Sequence, residues 1–229
     1  VRDLGRRLGV PEEVLKRHPF PGPGLGVRLL GSDGKPDRAG FDVLQPEASR
    51  VAAGFDVEAL ALPLRSVGVK ADLRAYEHPV LLSGDVAWAT LLDAASALTA
   101  RVAGVNRCLW NLGPGAPRSA GVVAAHTTLA RLALLRRADQ IVMDGLRRHG
   151  LYDQVWQCPT VLLPLSLDGA AAETVVVRPV RSQRAMTAAP VELPPALLDE
   201  LRTRVLGLEG IGGLTLDITS KPPATIEWE

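Results

Sequence analysis

The sequence predicts an α+β fold in which two β-β-α-β units follow one another along the chain. Three observations lead to this prediction: the same order of elements occurs twice, the strings ALALPLRS and VLLPLSL share an anchor, and a helix-forming stretch follows the second strand of each unit. A repeated order of elements indicates internal duplication. Because a three-stranded sheet of this size is marginal alone, we expect the apolar faces of the two units to cover each other.

The first unit opens with two strand-like runs. VEALALPLRSVGV at 57–69 is the first and YEHPVLLS at 76–83 is the second, where Pro79 marks a sheet edge or a bulge because proline donates no ladder hydrogen bond. The run AWATLLDAASALTARVAG at 87–104 is rich in Ala and Leu and ends on glycine, which predicts a helix. NRCLWNL at 106–112 is the third strand.

The second unit repeats this order. CPTVLLPLSL at 158–167 and ETVVVRPV at 173–180 are strands, and GLTLDIT at 213–219 closes the unit. Between them, PPALLDELRTRVLGLEG at 194–210 starts with proline and ends on glycine, which is the punctuation typical of a helix. Apolar residues recur along one face of this helix at the expected spacing, namely Leu197, Leu201, Val205 and Leu208.

Helices are also predicted before both units, a weak one around 45–54 and a stronger amphipathic one at 127–149. The Pro/Gly/Ser stretch GPGAPRSAG at 113–121 is expected to form a loop between the units. These features divide the chain into a first subdomain at 32–115 and a second subdomain at 116–229.

Composition excludes some classes of function. Of the 229 residues, 26 are Lys or Arg and 25 are Asp or Glu, so neither a nucleic-acid partner nor a membrane-surface partner is indicated. No apolar run approaches the ~18 residues that a membrane span needs. We expect Cys108 and Cys158 to be reduced thiols of the core, and the four histidines show no metal-ligand spacing. No metal site is therefore expected on this chain.

Four motifs carry a resemblance to a known family. They are RHPFPGPGLGVRLLG at 17–31, LPLRSVGVKADLRAYEH at 62–78, QCPTVLLPL at 157–165 and SKPPATIEWE at 220–229. Taken together, they make the chain resemble the C-terminal part of GMP synthase (glutamine-hydrolysing), in the form that carries two dimerisation subdomains. Residues 1–31 then correspond to the end of an α/β ATP-pyrophosphatase domain and to a hinge.

The resemblance implies a part in the conversion of xanthosine 5′-monophosphate (XMP) to GMP, with ATP and glutamine-derived ammonia. The nucleotide phosphate needs a cation, which Lys221 or Arg74 can supply. The ribose hydroxyls suit a carboxylate, and an amide can serve the base edges as donor and acceptor. The residues that the resemblance assigns to XMP binding are Asp72, Gln157, Lys221, Ile226 and Glu227, with Arg74 assisting.

The stretch HPFPGPG joins the catalytic core to the dimerisation region in the family, close to the XMP pocket. Proline stiffens a hinge by fixing φ, and glycine lets the backbone approach a ligand closely. We therefore expect a hinge near the substrate that consists of His18, Pro19, Phe20, Pro21, Gly22, Pro23 and Gly24.

Two parts of the family's machinery are absent from this sequence. It contains no SGG-x-DS pyrophosphate loop and no glutaminase Cys–His–Glu constellation. We therefore expect no cofactor on this chain, ATP and Mg²⁺ on the missing core, and no synthesis of GMP by this chain alone. The partners implied are XMP and the ATP-pyrophosphatase and glutaminase domains, on the same or on separate chains, and the location implied is cytoplasmic.

The two units carry complementary parts of the motif set. The first retains Asp72 but has Asp56 at the position that matches Gln157, whereas the second reads SLDGAAA where the first has its Asp72 motif. We therefore expect an internal pseudo-dimer, compatible with a monomeric chain, that places Asp72 across an interface from Gln157 and Lys221. The alternative is a purely structural dimerisation module or a degenerate paralogue without XMP binding. Ala71, where the family has glycine, leaves this alternative open.

Overall fold

The structure is a computed structural model that describes residues 2–19, 24–70, 73–183 and 185–228. The chain begins with two short helices, α1 (Arg2–Arg7) and α2 (Glu12–Leu15), and a 3₁₀-helix at Gly24–Arg28. A two-residue strand, β1 (Ser32–Asp33), leads into the main body.

The main body has two halves with a common order, in which a helix is followed by a run of strands, a second helix and a last strand. The first half consists of α3 (Phe41–Ala53), β2 (Glu58–Ala61), β3 (Ser66–Lys70), β4 (Leu73–Ser83), α4 (Trp88–Arg101) and β5 (Val105–Asn111). Two short strands follow, β6 (Ala120–Val122) and β7 (Ala124–Ala125). The second half consists of α5 (Leu129–Arg148), β8 (Thr160–Leu163), β9 (Leu165–Leu167), β10 (Glu173–Val177), β11 (Val180–Arg181), β12 (Ala189–Pro190), α6 (Pro195–Leu206) and β13 (Ile211–Asp217).

One mixed sheet runs through both halves in the order β2-β4-β5-β13-β10-β8, with β3 paired to the first part of β4. β4 and β5 are parallel in the first half and β10 and β13 are parallel in the second half, and the halves meet through the antiparallel pair β5–β13. The register at this seam pairs Trp110 with Leu216, and it pairs Asn111 with Thr215 and Leu109 with Asp217. These pairs relate the two halves by an approximate twofold axis through the Trp110–Leu216 pair.

Helices α3 to α6 all pack on one face of the sheet. On β4, Val80 and Leu82 belong to the core under the helices, whereas Leu81 points to a second core on the opposite face. This alternation follows from the two-residue period of a strand. Residues outside the central strands complete the second core, among them Leu62, Leu165 and Trp228.

The structure confirms the α+β class and corrects the predicted arrangement of the units. They do not cover each other face to face, because they join edge to edge and the helices bury the apolar face. The long strands predicted at 57–69 and 158–167 are each interrupted near a proline, Pro63 or Pro164. Proline removes a backbone donor from the ladder and so breaks the pairing there. A descent from duplication, and the boundaries at residues 31 and 115, stay predictions.

The irregularity predicted at Pro79 is confirmed. The parallel pairing of β4 with β5 shifts register between His78 and Pro79. Among the described residues, no helix is long and apolar enough to cross a membrane.

The free edge of the sheet at β2 is closed by one side chain of α3. The Gln45 amide donates from Nε2 to the Ala59 carbonyl at 2.8 Å, and its Oε1 accepts from the Ala61 amide at 2.7 Å. The side chain therefore satisfies backbone groups that an edge strand otherwise exposes.

Gln45→Ala is expected to lower the free energy of unfolding by about 1–3 kcal/mol, because two hydrogen bonds to half-buried backbone groups are lost. Urea denaturation followed by circular dichroism measures this change. Arg50→Ala, at an exposed position of the same helix, is the control and should change stability little. Equal stability of Gln45→Ala and the parent would show that water replaces the amide at no cost.

Both cysteines are expected to be unreactive in the folded chain. Cys108 and Cys158 are free thiols, and burial raises the pKa of each well above its usual range. Since the thiolate is the reactive form, alkylation at pH 8 should follow global unfolding for both residues. Mass spectrometry after a timed iodoacetamide pulse, with the denatured chain as the positive control, tests this, and fast labelling of either native thiol would contradict it.

Candidate functional site

A buried group of three charged side chains joins the two halves of the sheet. Arg107 lies on β5, Asp217 ends β13, and Arg178 follows directly after β10. One carboxylate oxygen of Asp217 lies 2.5 Å from Arg107 and the other lies 2.5 Å from Arg178. All three side chains are fully buried. We call this group the Arg–Asp–Arg triad.

Arg107 also holds the C-terminal segment, which we define as residues 219–228. Its second terminal nitrogen donates to the carbonyls of Thr225 at 3.2 Å and Glu227 at 3.1 Å, and to the Val67 carbonyl of β3 at 3.1 Å. The guanidinium lies over the Trp228 ring, 4.6 Å from its centroid. One side chain of the first half therefore contacts three residues at the end of the chain.

The C-terminal segment lies along β3. The Val67 amide donates to the Trp228 carbonyl at 3.1 Å, and the Val69 amide donates to the Pro223 carbonyl at 2.7 Å. Gly68 makes this approach possible, because a Cβ atom there would lie 2.7 Å from the Pro223 carbonyl oxygen. The segment thus belongs to the second half by sequence and packs on the first half in space.

Gln157 and Glu227 meet beside this segment. Gln157 is buried, and its Nε2 lies 3.4 Å from Oε1 of Glu227. Oε2 of Glu227 is also buried and has no hydrogen-bond partner. A buried carboxylate oxygen that lacks a donor is unusual in a folded protein. The pair therefore has acceptor capacity that the described part of the chain does not use.

Lys221 and Ile226 flank the hairpin formed by β11 and β12. Lys221 Nζ donates to the Ala185 carbonyl at 2.6 Å, and the Lys221 backbone forms a bridge with Ala188. Ile226 packs in a small cluster with Val180 and Ala188. Gln157 bridges to Val180 through its backbone, so the hairpin connects all these positions.

The charge of Arg178 is set by its burial and by two neighbouring carboxylates. Burial lowers the pKa of Arg178 to about 10, and the carboxylates of Asp217 and Glu227 oppose that change. Arg178 is therefore cationic at neutral pH. Among the described residues, Arg107 and Arg178 pair with the Asp217 carboxylate, whereas Lys221 donates to a backbone carbonyl.

The structure brings together four of the residues that the sequence assigned to the site: Gln157, Lys221, Ile226 and Glu227. Arg74 lies apart on an exposed position of β4, where it pairs with Val69 of β3. The Val69 amide in turn bonds to the C-terminal segment, so Arg74 is one strand removed from it. Asp72 and Ala71 lie outside the described residues.

The predicted hinge is described only at its two ends. His18 stacks on Tyr152 with ring centroids 4.3 Å apart, and its Nε2 lies 2.9 Å from the Tyr152 carbonyl oxygen. Pro19 is exposed, and Gly24 begins the 3₁₀-helix with a φ of 62°. The four positions between them, Phe20, Pro21, Gly22 and Pro23, lie outside the described residues.

Sequence reasoning missed the triad itself. Arg107, Arg178 and Asp217 each stand within or directly beside an apolar run that was identified only as a strand. A charged residue inside such a run needs a buried partner, and this is the signal that could have found them. In the part of the chain that the structure describes, no group of His, Cys, Asp and Glu could hold a metal ion.

Comparison with known proteins agrees with the motif resemblance. Residues 144–228, which include β8 to β13 and the C-terminal segment, match the family described as GMP synthase C terminal domain. These residues therefore belong to the GMP synthase family.

The rest of the chain extends the similarity to GMP synthases. The chain is 39% identical over 241 residues to a probable GMP synthase [glutamine-hydrolyzing] of Leptospira interrogans, and 29% identical over 304 residues to one of Caenorhabditis elegans. It is 28% identical over 236 residues to the GMP synthase [glutamine-hydrolyzing] of Aquifex aeolicus. Each match covers the whole of this chain but only 38%, 40% and 28% of the respective relative.

In this GMP synthase C-terminal domain, Trp228→Ala is expected to destabilise the fold by about 3–5 kcal/mol, because a fully buried ring is removed from the second core. Trp228→Phe keeps an aromatic face for Arg107 and should cost clearly less. Thermal unfolding of the parent and both variants measures the difference. Equal losses for the two variants would contradict a role for the ring face in holding Arg107.

Proposed function

We propose that this chain is the C-terminal part of a GMP synthase and that it supplies residues that bind XMP. The observation that carries the proposal is the convergence of Gln157, Lys221 and Glu227 beside the C-terminal segment. Gln157 comes from a stretch far from the C-terminal segment in sequence, whereas Lys221 and Glu227 belong to that segment. No strand of the main sheet needs these side chains for its pairing.

The chemistry of these groups suits a purine nucleotide monophosphate. The Lys221 ammonium provides a cation for the phosphate. The Gln157 amide can donate to and accept from a base edge, and the free oxygen of Glu227 can accept from a base N–H or a ribose hydroxyl. Ile226 adds an apolar contact. Asp72 and Arg74, which belong to the first half by sequence, are proposed to complete the pocket.

The complete enzyme is proposed to convert XMP to GMP with ATP and with ammonia from glutamine. We place ATP, Mg²⁺ and the glutaminase chemistry on the ATP-pyrophosphatase and glutaminase domains, because this chain contains neither of their motifs. This chain alone is then expected to make no GMP. A cytoplasmic location follows from the family resemblance and is likewise proposed.

Pairing of the two halves is the second proposed role. The seam β5–β13 and the docking of the C-terminal segment on β3 join the halves within one chain. This supports an internal pseudo-dimer in which each half contributes to one nucleotide site.

One observation favours a different function, namely a structural pairing module that binds no nucleotide. Lys221 Nζ already donates to the Ala185 carbonyl, and Gln157 already contacts Glu227. A ligand would have to displace or share these contacts.

Isothermal titration of the chain with XMP, and with AMP as the control ligand, decides between the two functions. We expect selective binding of one XMP per chain. Lys221→Ala should weaken XMP binding by about ten- to a hundredfold, because a hydrogen-bonded charge pair with the phosphate is lost. Lys35→Ala, at an exposed lysine paired only with Asp33, should leave the affinity unchanged.

Absence of XMP binding requires the same titration with the ATP-pyrophosphatase core added. Binding under those conditions would mean that the core closes the pocket. No binding in either case would establish the pairing module.

A further inference from the structure

The Arg–Asp–Arg triad is not explained by stability. Burying charged groups is costly, and replacing a buried ion pair by well-packed apolar side chains is often neutral or stabilising. Here two cations share one carboxylate, so three charged groups are removed from water together. A core that served packing alone would be expected to use apolar residues at these three positions.

We propose that the triad is a positioning device for the nucleotide site: Asp217 fixes both arginines, and Arg107 then fixes the C-terminal segment on β3, so that Ile226 and Glu227 are held in place for the ligand. The inference rests on the proposed function for its ligand. In this proposal Arg107, Arg178 and Asp217 do not contact the nucleotide and act only by positioning the C-terminal segment.

The first step is the immobilisation of Arg107 by Asp217. With one terminal nitrogen on the carboxylate, the planar guanidinium has its other nitrogen aimed at Val67, Thr225 and Glu227. Its donors have a fixed fork geometry, so one bond orients the others. The Thr225 hydroxyl lies at the same place, 2.5 Å from the Glu227 carbonyl oxygen and 3.0 Å from that of Val67, and can donate to either of them.

The second step concerns Arg178. One terminal nitrogen of Arg178 is shared between Asp217 and the Thr219 carbonyl, at the start of the C-terminal segment. The other is buried and has no hydrogen-bond partner among the described residues. The Glu227 carboxylate interacts electrostatically with Arg178 and acts to raise its pKa. Arg178 therefore places a buried positive charge within electrostatic reach of the Glu227 carboxylate, near the far end of the segment.

The approximate symmetry of the sheet provides an internal comparison. By strand register, Ser83 corresponds to Arg178, Asn111 to Asp217 and Gly213 to Arg107. All three counterparts are uncharged. The counterpart end of the sheet is a groove of about 510 Å³ that includes Ser83 and Asn111 in its lining, and the C-terminal segment does not reach it. The triad therefore occurs only at the end where the segment docks.

Two variants of the intact chain test the proposal. Asp217→Asn removes the shared carboxylate. Arg107→Met keeps the ion pair between Asp217 and Arg178, so the buried carboxylate retains a cation and the fold stays testable if Asp217→Asn does not fold. Glu173→Gln is the matched control, because Glu173 forms a comparably short, largely buried pair with Arg131 away from the C-terminal segment.

Hydrogen exchange at the Val67 and Val69 amides reports docking without any ligand, since these two amides donate to the C-terminal segment. We expect exchange to accelerate at least about tenfold at both amides in Asp217→Asn and Arg107→Met, with the β10 amides unchanged in Arg107→Met. XMP affinity should fall by about ten- to a hundredfold in the same two variants. Glu173→Gln should lower the melting temperature and change neither readout.

Unchanged exchange at Val67 and Val69 in Arg107→Met would overturn the proposal. Faster exchange at these amides together with unchanged XMP affinity would also overturn the proposal, because XMP binding would then not depend on the docking of the C-terminal segment. If the parent chain binds no XMP with or without the core, the proposed function fails, and the exchange data alone decide whether the triad anchors the segment. Arg107→Lys keeps the positive charge but not the planar guanidinium. Its exchange rates and its XMP affinity should lie between those of the parent and those of Arg107→Met.

Discussion

The rest of this site depends on the two ion pairs that the Asp217 carboxylate makes with Arg107 and Arg178. This carboxylate lies at the seam between the two halves and holds an arginine from each of them. Buried charges of this kind are tolerated only when they are paired and hydrogen-bonded. The seam therefore has one acceptable register, because a shift of β13 by one residue would turn Asp217 to the opposite face of the sheet.

From this constraint follows the placement of the end of the chain. Arg107 is held by Asp217, and the backbone of the C-terminal segment then meets Arg107 on one side and β3 on the other. Trp228 closes the second core under the same guanidinium. The C-terminal segment is thus held both by hydrophobic packing of Trp228 and by the hydrogen bonds that Arg107 donates to its backbone.

The two halves share a scaffold and differ in chemistry. At one end of the sheet the C-terminal segment, which follows β13, lies on β3. At the other end β6, which follows β5, pairs with β9. Only the first of these ends has the charged triad, the buried Gln157 and the unpaired oxygen of Glu227. The Arg–Asp–Arg triad thus distinguishes one of two ends whose strands are arranged alike.

The sequence by itself determined the helices and most strands, because their apolar periodicity and their proline and glycine boundaries are local properties, as in α6. It also determined the α+β class and, through SKPPATIEWE, the resemblance to GMP synthase. It pointed to Gln157, Lys221, Ile226 and Glu227, which the structure brings together, whereas Arg74 was grouped with them only because its motif lies near Asp72. Only the tertiary structure decided that the halves join edge to edge and that Arg107, Arg178 and Asp217 form one group. The partners of each of these charges are distant in sequence, so no local pattern specifies them, and the requirement to pair a buried charge is met only once the sheet has formed.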